Sequence, residues 1–244
     1  MSKPDDRGCV CVTGAAGGIG LALVSRLLEE GYGVSAWDRA PGPLADVAQD
    51  RLSFEALDVR DGAAMAGAAG RAQDRFGHIH GLVCLAGVYR AQPFLEIDDE
   101  MFDLHFSINL KGSLLAAQAV LPFLRARKAG SVVFFSSTMA RTGGMNSVAY
   151  SATKGGILGL MRSMALDVAR DNIRVNAVSP AIADTAMPRA NLDAAQMASR
   201  AGANPMKRIG TPQDMAEAAL FLLDKENSFM TGQDLRVTGG ANLF

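Results

Sequence analysis

The sequence predicts an α/β fold: one doubly wound domain over residues 1–244, with about seven parallel strands and helices on both faces of the sheet. Three observations carry the prediction. Apolar runs of strand length alternate with longer segments of helical period. A glycine-rich turn, Gly14 to Gly20, joins the first apolar run to the first helical one. No linker, repeat or low-complexity stretch divides the chain.

Taken in order, strands are expected at Cys9 to Thr13, Gly33 to Trp37, Leu52 to Leu57, Gly81 to Leu85, Ser131 to Ser136, Arg174 to Val178 and Asp234 to Val237. Most are near-continuous apolar runs, as strands covered on both faces should be. Helices are expected at Gly20 to Glu30, Ala63 to Phe76, Leu110 to Arg127, Tyr150 to Arg170 and Pro212 to Leu223. Gly31 and Gly33 bracket the end of the first. Thr211-Pro212-Gln213-Asp214 opens the last, a capping hydroxyl before a proline suited to the first helical turn. Residues 181–210 have no strong period and form the expected substrate loop or lid.

With 49% hydrophobic and 20% charged residues, the chain has enough apolar material for a large core and is not expected to be disordered. Its 24 basic and 25 acidic residues leave a net charge of -1, which offers no general attraction to nucleic acid or to an anionic membrane. A small-molecule substrate is the expected partner. No apolar run approaches a membrane span, and Met1 to Arg7 is polar and charged, so a cytoplasmic location is expected. Cys9, Cys11 and Cys84 make no C-x-x-C pair, and the first two alternate along an expected buried strand. They read as core packing in preference to redox or metal chemistry.

The turn Thr13-Gly14-Ala15-Ala16-Gly17-Gly18-Ile19-Gly20 leaves a strand and enters an amphipathic helix. Gly14, Gly18 and Gly20, with Ile19 between the last two, let the backbone turn sharply, approach a pyrophosphate and pack helix on sheet. The helix N-terminus then faces the anion. Asp38 ends the second strand eighteen residues beyond Gly20, where a carboxylate accepts hydrogen bonds from the adenosine ribose and repels a 2′-phosphate. The preferred cofactor is therefore NAD. Arg39 leaves NADP open, and Asp38 could instead cap the turn Arg39-Ala40-Pro41-Gly42.

Tyr150 and Lys154 stand at i and i+4 of a helical segment and project from one face. An ammonium group beside a phenol favours the phenolate, and this would lower a pKa that is otherwise about 10. By itself the pair is also compatible with an ordinary surface contact. Ser137 lies thirteen residues before Tyr150, and Asn109 forty-one before it.

Together with the glycine turn and Asp38, these residues stand in the order and spacing of the short-chain dehydrogenase/reductase family, which the chain resembles over nearly its whole length. The resemblance implies a Rossmann-type domain and hydride transfer between NAD(H) and a secondary alcohol or ketone. In that scheme Tyr150 is the general acid or base at the substrate oxygen, and Ser137 hydrogen-bonds the same oxygen. Lys154 holds the nicotinamide ribose and lowers the phenol's pKa, and Asn109 fixes a water linking Lys154 to solvent. Asn109 also reads as a plain buried amide, and Ser136 is expected to be structural.

Asp58-Val59 resembles the family's adenine-contacting pair, and Ala86-Gly87 the end of its N-N-A-G motif. Cys84 and Leu85 replace both asparagines of that motif, so altered stability of the fourth strand is expected. Ser179 to Thr185, including Pro180, Ala183 and Thr185, resembles the loop that touches the nicotinamide amide, with Ala181 where the family usually has glycine.

Substrate contacts are expected from Val88 to Gln92, Thr138 to Asn146 and Ile182 to Met206. Met139, Met145, Met187, Met197 and Met206 lie there and read equally as pocket wall or core filling. Arg90, Arg141 and Arg189 are candidates for a substrate carboxylate or solvated surface groups. Gly155, Gly156 and Gly159 sit inside the Tyr150 helix, where glycine is unfavourable, and suggest close approach of a neighbouring element. The resemblance implies a homotetramer packed on this helix. Two alternatives stay open: an NADPH-dependent 3-oxoacyl thioester reductase, which Asp38 argues against, and a catalytically silent dinucleotide-binding protein.

Overall fold

The computed structural model describes residues 7–47 and 50–241; Met1 to Asp6, read above as polar, lie outside the described residues. Seven strands form one sheet: β1 Cys9–Thr13, β2 Gly33–Asp38, β3 Leu52–Ala56, β4 Ile79–Cys84, β5 Gly130–Phe135, β6 Ile173–Pro180 and β7 Asp234–Val237. Every neighbouring pair is parallel, and the order is β3-β2-β1-β4-β5-β6-β7. Each strand lies within two residues of its expected bounds.

The helices are α1 Gly18–Glu29, α2 Gly62–Phe76, α3 Asp99–His105, α4 Gly112–Arg127, α5 Met139–Thr142, α6 Val148–Val168, α7 Ala186–Arg189, α8 Ala194–Ala203 and α9 Pro212–Leu223. Alternation along β1 shows how the two layers are built. Cys9 and Cys11 point into a core shared with α2, α4 and α6, whereas Val10 and Val12 join α1 and α9 on the other face. The cysteines are therefore buried packing residues, as expected, and Cys84 joins the same core.

Helix ends follow local chemistry. Gly31 closes α1 with φ +89°, a left-handed value that suits glycine. Thr211 caps α9: its hydroxyl accepts from Asp214 N at 3.2 Å, and the Asp214 carboxylate accepts from Thr211 N at 2.7 Å.

Two segments depart from expectation. Helix was expected from Leu110, yet the chain is helical from Asp99, through one wide π-type turn at Phe106–Lys111, into α4. Asp98 caps α3 by accepting from Met101 N at 2.7 Å, and Asp99 and Glu100 complement the positive helix end. The helix buries only His105, so it offers no apolar stripe to read. Residues 181–210, expected to be irregular, contain α7 and α8. The capping box of Asp193 and Gln196 starts α8, which buries no residue and so carries no core-facing pattern. This segment is tied at its base by the bridge between Ala183 and Gly210 and by the Asn204 side chain, which donates to Thr238 O at 2.9 Å.

The strand order reverses between β1 and β4. Parallel sheets of this kind bind ligands at the carboxyl ends of the strands beside such a reversal.

Candidate active site

The glycine turn sits at that reversal. Gly14 has φ +68°, and a Cβ there would lie 2.6 Å from Ala86 N, so only glycine lets the turn after β1 touch the loop after β4. A Cβ on Gly20 would lie 2.3 Å from Gly14 O, which keeps the start of α1 folded onto the turn. Thr185, in the loop after β6, reaches over the same turn: a Cβ on Gly18 would lie 2.9 Å from Thr185 Cγ2. Thus the turn from Gly14 to Gly20, Ile19 included, packs against Ala86 and Thr185, which brings Gly87 and the segment Pro180 to Thr185 to the same end of the sheet. These glycines expose backbone N–H groups at the N-terminus of α1, the kind of residue set that could hold the pyrophosphate of a dinucleotide.

Asp38 ends β2 beside the turn. Its Oδ2 accepts from Ala16 N at 3.0 Å and its Oδ1 from Arg39 N at 2.8 Å. The carboxylate therefore caps the Arg39 turn and braces the glycine loop, while each oxygen keeps a further acceptor site. Asp58 is held by Arg60, whose guanidinium donates to Oδ1 at 3.0 Å and to Oδ2 at 2.6 Å. That hydrogen-bonded cation keeps the Asp58 carboxyl below the usual carboxylate range. Val59 packs against Gly112 at the start of α4. Where the sequence lacks the two asparagines, Thr13 braces β4 instead: its carbonyl accepts from Leu85 N at 3.1 Å and its hydroxyl from Ala86 N at 3.3 Å.

Tyr150 lies in the first turn of α6, because that helix begins two residues earlier than expected, at Val148. Ser137, just beyond β5, lies beside the Tyr150 phenol and favours its ionised form, and the Ser137 hydroxyl accepts from Met139 N at 3.2 Å. Lys154 is buried one turn along, with Nζ donating to Phe135 O at 2.8 Å and lying 5.5 Å from the Tyr150 ring centroid. A Cβ on Gly87 would lie 3.3 Å from Asn109 Oδ1 and 3.7 Å from that Nζ, so Gly87 lies against both side chains. Ser136 donates to Lys154 O at 2.8 Å and is structural, as expected.

The electrostatics correct one expectation. Lys154 was to lower the pKa of Tyr150, but burial pushes the phenol up to about 12, against the opposing pull of Ser137. Burial likewise pushes Lys154 down to about 8. Loss of water is the largest cause in both groups, and near neutral pH Tyr150 is a protonated donor.

Asn109 sits in the wide turn between α3 and α4, fully buried. Its Oδ1 accepts from Val88 N at 2.8 Å, while Nδ2 donates to Val88 O at 3.0 Å and to Thr153 Oγ1 at 3.2 Å. Both amide hydrogens are thus engaged by the loop after β4 and by α6, a duty the resemblance did not imply. Sequence reasoning also passed over Tyr89, whose ring meets that of Tyr150 edge-on with centroids 4.9 Å apart, and over Ser147 and His105. Only the inclusion of Tyr89 in the Val88 to Gln92 stretch pointed to it.

Of the candidate substrate arginines, Arg141 pairs with Asp234 at 3.1 Å and Arg189 with Asp184 at 2.7 Å. Both charges are answered within the chain. None of the five candidate methionines is buried, and Met145 is 91% and Met206 60% exposed, so they are not core filling. Gly156 packs on Leu110 within the chain, whereas a Cβ on Gly159 would meet open space.

Residues 14–242 match the family described as enoyl-(acyl carrier protein) reductase. The chain is 36% identical to the oxidoreductase UcpA of Escherichia coli over 250 residues, covering 95% of this chain and 93% of the relative. It is 37% identical to the cis-4-hydroxycyclohexanecarboxylate dehydrogenase of Sinomonas cyclohexanicum and 36% identical to the acetoacetyl-CoA reductase of Synechocystis, with 94% of both chains covered in each case. Among solved structures, ligand-free aldohexose dehydrogenase of Thermoplasma acidophilum superposes with a TM-score of 0.90 at 30% identity, over 99% of this chain and 96% of that one. ElxO with NADP bound gives 0.89 at 27%, over 96% and 98%. Sequence and fold show that the chain is an oxidoreductase of the short-chain dehydrogenase/reductase family.

Proposed function

We propose that the protein is an NAD-dependent alcohol dehydrogenase or ketone reductase acting on a small secondary alcohol or its ketone. The observation that carries this reading is the grouping of Ser137, Tyr150 and buried Lys154: Ser137 acts on the phenol, and the Lys154 Nζ lies 5.5 Å from its ring centroid. The nicotinamide, when bound, supplies or accepts the hydride. Tyr150, neutral near pH 7, donates a hydrogen bond and then a proton to the carbonyl oxygen in the reducing direction. Ser137 donates to the same oxygen as charge develops on it. Lys154, held on Phe135 O, is available to the ribose hydroxyls. Asp38 would accept from the adenosine ribose and repel a 2′-phosphate, while Asp58 and Val59 would border the adenine.

The proposed assembly is a cytoplasmic homotetramer. Its support is an open groove of about 630 Å³ lined by Phe106, Leu110, Leu114, Gly156 and Leu160, an apolar face on α4 and α6 suited to a second copy. Among the described residues no helix is long and apolar enough to cross a membrane. Light scattering that found only monomer at micromolar concentration would remove this part of the reading.

The main test is Tyr150→Phe assayed beside wild type on a panel of ketones and secondary alcohols. Turnover should fall about a hundredfold or more while cofactor binding persists. Full turnover would defeat the proposed proton chemistry, and the silent binding protein is the reading that survives if wild type turns over nothing. An NADPH-dependent 3-oxoacyl thioester reductase is the second reading, favoured by Arg39 next to Asp38 and by the similarity to an acetoacetyl-CoA reductase. Titration with NADH and NADPH separates the two, since tighter NADPH binding would overturn the role given to Asp38.

A further inference from the structure

The loop after β4 lies against Tyr150 and is held there by two buried side chains four residues apart. Val88 exchanges both backbone hydrogen bonds with the Asn109 amide, at 2.8 and 3.0 Å. Arg90 donates its N–H to His105 Nε2 at 3.2 Å. His105 Nδ1 lies 2.9 Å from Met101 O, a contact that needs the hydrogen on Nδ1 and leaves Nε2 as the acceptor for Arg90. The ring is neutral in this arrangement, and both of its nitrogens are satisfied.

His105 and Asn109 thus do for residues 88–90 what a neighbouring strand would do: they satisfy the backbone on one side and fix its path. The side chain between the two tethered residues is Tyr89. Its ring stands edge-on to Tyr150 at an interplanar angle of 64°. Its hydroxyl is tied back to Ser147 Oγ at 2.9 Å, and Ser147 donates in turn to Met145 O at 2.9 Å. What Tyr89 offers the space beside the Tyr150 phenol is therefore an apolar ring whose polar end is engaged elsewhere.

Resting on the alcohol dehydrogenase or ketone reductase reading above, we propose that Tyr89 is a specificity-determining residue, the wall of the substrate pocket beside the reacting carbonyl, and that His105 and Asn109 are positioning residues that set where this wall stands. A rigid flat wall favours substrates whose carbon next to the carbonyl carries compact apolar groups, an unbranched ring among them, and excludes branching at that carbon.

The test uses the purified full chain with cyclohexanone and 2-tert-butylcyclohexanone, each with NADH and with NADPH. Tyr89→Ala should raise the kcat/KM ratio of the branched over the unbranched ketone by at least about tenfold, whereas Tyr89→Phe should keep the wild-type ratio. His105→Leu should speed amide hydrogen exchange at Arg90 about fivefold to tenfold and raise KM for cyclohexanone more than it lowers kcat. His105→Gln, which returns an acceptor near the Nε2 position, should restore both. If His105→Leu does not fold, His105→Asn is read in its place, because it keeps the Met101 partner and is too short for Arg90. An unchanged ketone ratio in Tyr89→Ala overturns the specificity role, and unchanged exchange at Arg90 overturns the tether. A wild type that turns over neither ketone with either cofactor defeats the ketone reductase reading and the role of Tyr89 with it, while exchange at Arg90 still decides what His105 does.

Discussion

Replacing Lys154 by Met should make the protein more stable and nearly inactive. The ammonium group is buried, with its Nζ on Phe135 O at 2.8 Å, and desolvation lowers its pKa from 10.5 to about 8. At pH 7 the lysine is charged in the folded and unfolded states alike, so the fold bears the whole penalty, roughly 3 kcal/mol at 1.36 kcal/mol per pKa unit. Methionine removes that penalty and forfeits one hydrogen bond worth about 1 kcal/mol, a net gain of about 2 kcal/mol or a Tm rise of roughly 5 °C for a chain of this size. The sign gives a second check. Because the folded pKa lies below the unfolded one, the penalty is complete below pH 8 and disappears as pH rises from 8 towards 10.5. Thermal melts of wild type and Lys154→Met from pH 7 to 10 should therefore show a gap that narrows and nearly closes at the alkaline end. A variant that melts below wild type at pH 7, or a gap that ignores pH, would refute the reasoning. Turnover in the same preparation should fall about a hundredfold or more.

Three further outcomes are expected. Ser137→Ala should lower kcat about a hundredfold to a thousandfold with little change in KM, measured by steady-state kinetics, because its hydroxyl acts on charge that develops in the transition state. Asp38→Asn keeps an acceptor for Ala16 N but removes the charge. The NADPH-to-NADH affinity ratio, read by fluorescence titration, should rise about tenfold, and an unchanged ratio would count against charge as the discriminator. Gly14→Ala places a Cβ 2.6 Å from Ala86 N at φ +68°. It should cost about 1–3 kcal/mol in denaturant unfolding and weaken binding of either dinucleotide, whereas full binding would show that the turn can relax.

The centre of the sheet was legible because a strand buried on both faces reads as an apolar run, as β1 and β5 do, whereas the edge strands β3 and β7 are partly exposed, carry Glu55, Asp234 and Arg236, and were legible from their strand length between turns. That Tyr150 and Lys154 share one helix face was legible because i, i+4 spacing survives in one dimension, whereas Ser137 was placed beside them through the resemblance to the short-chain dehydrogenase/reductase family. Helix α3 was not legible, since its stability rests on Asp98 and on acidic first-turn residues while only His105 turns inward. Neither was the direction of the Tyr150 shift. Sequence spacing puts a cation near the phenol but says nothing of how much water both groups lose. Tyr89 shows the same limit: its place against Tyr150 depends on His105 and Asn109, which lie far along the chain and contact its neighbours instead of the tyrosine itself.

The segment carrying α7 and α8 has a consequence for how this protein can change. Since α8 contributes nothing to either core and is fastened at its base by the Ala183–Gly210 bridge and by Asn204, its opening free energy is set by a few polar contacts and lies far below that of the sheet. Residues there can be replaced, lengthened or cut without loosening a strand. Selection for a differently shaped substrate can therefore act on residues 186–203 almost independently of selection for a stable fold, and the two histories need leave no trace on each other.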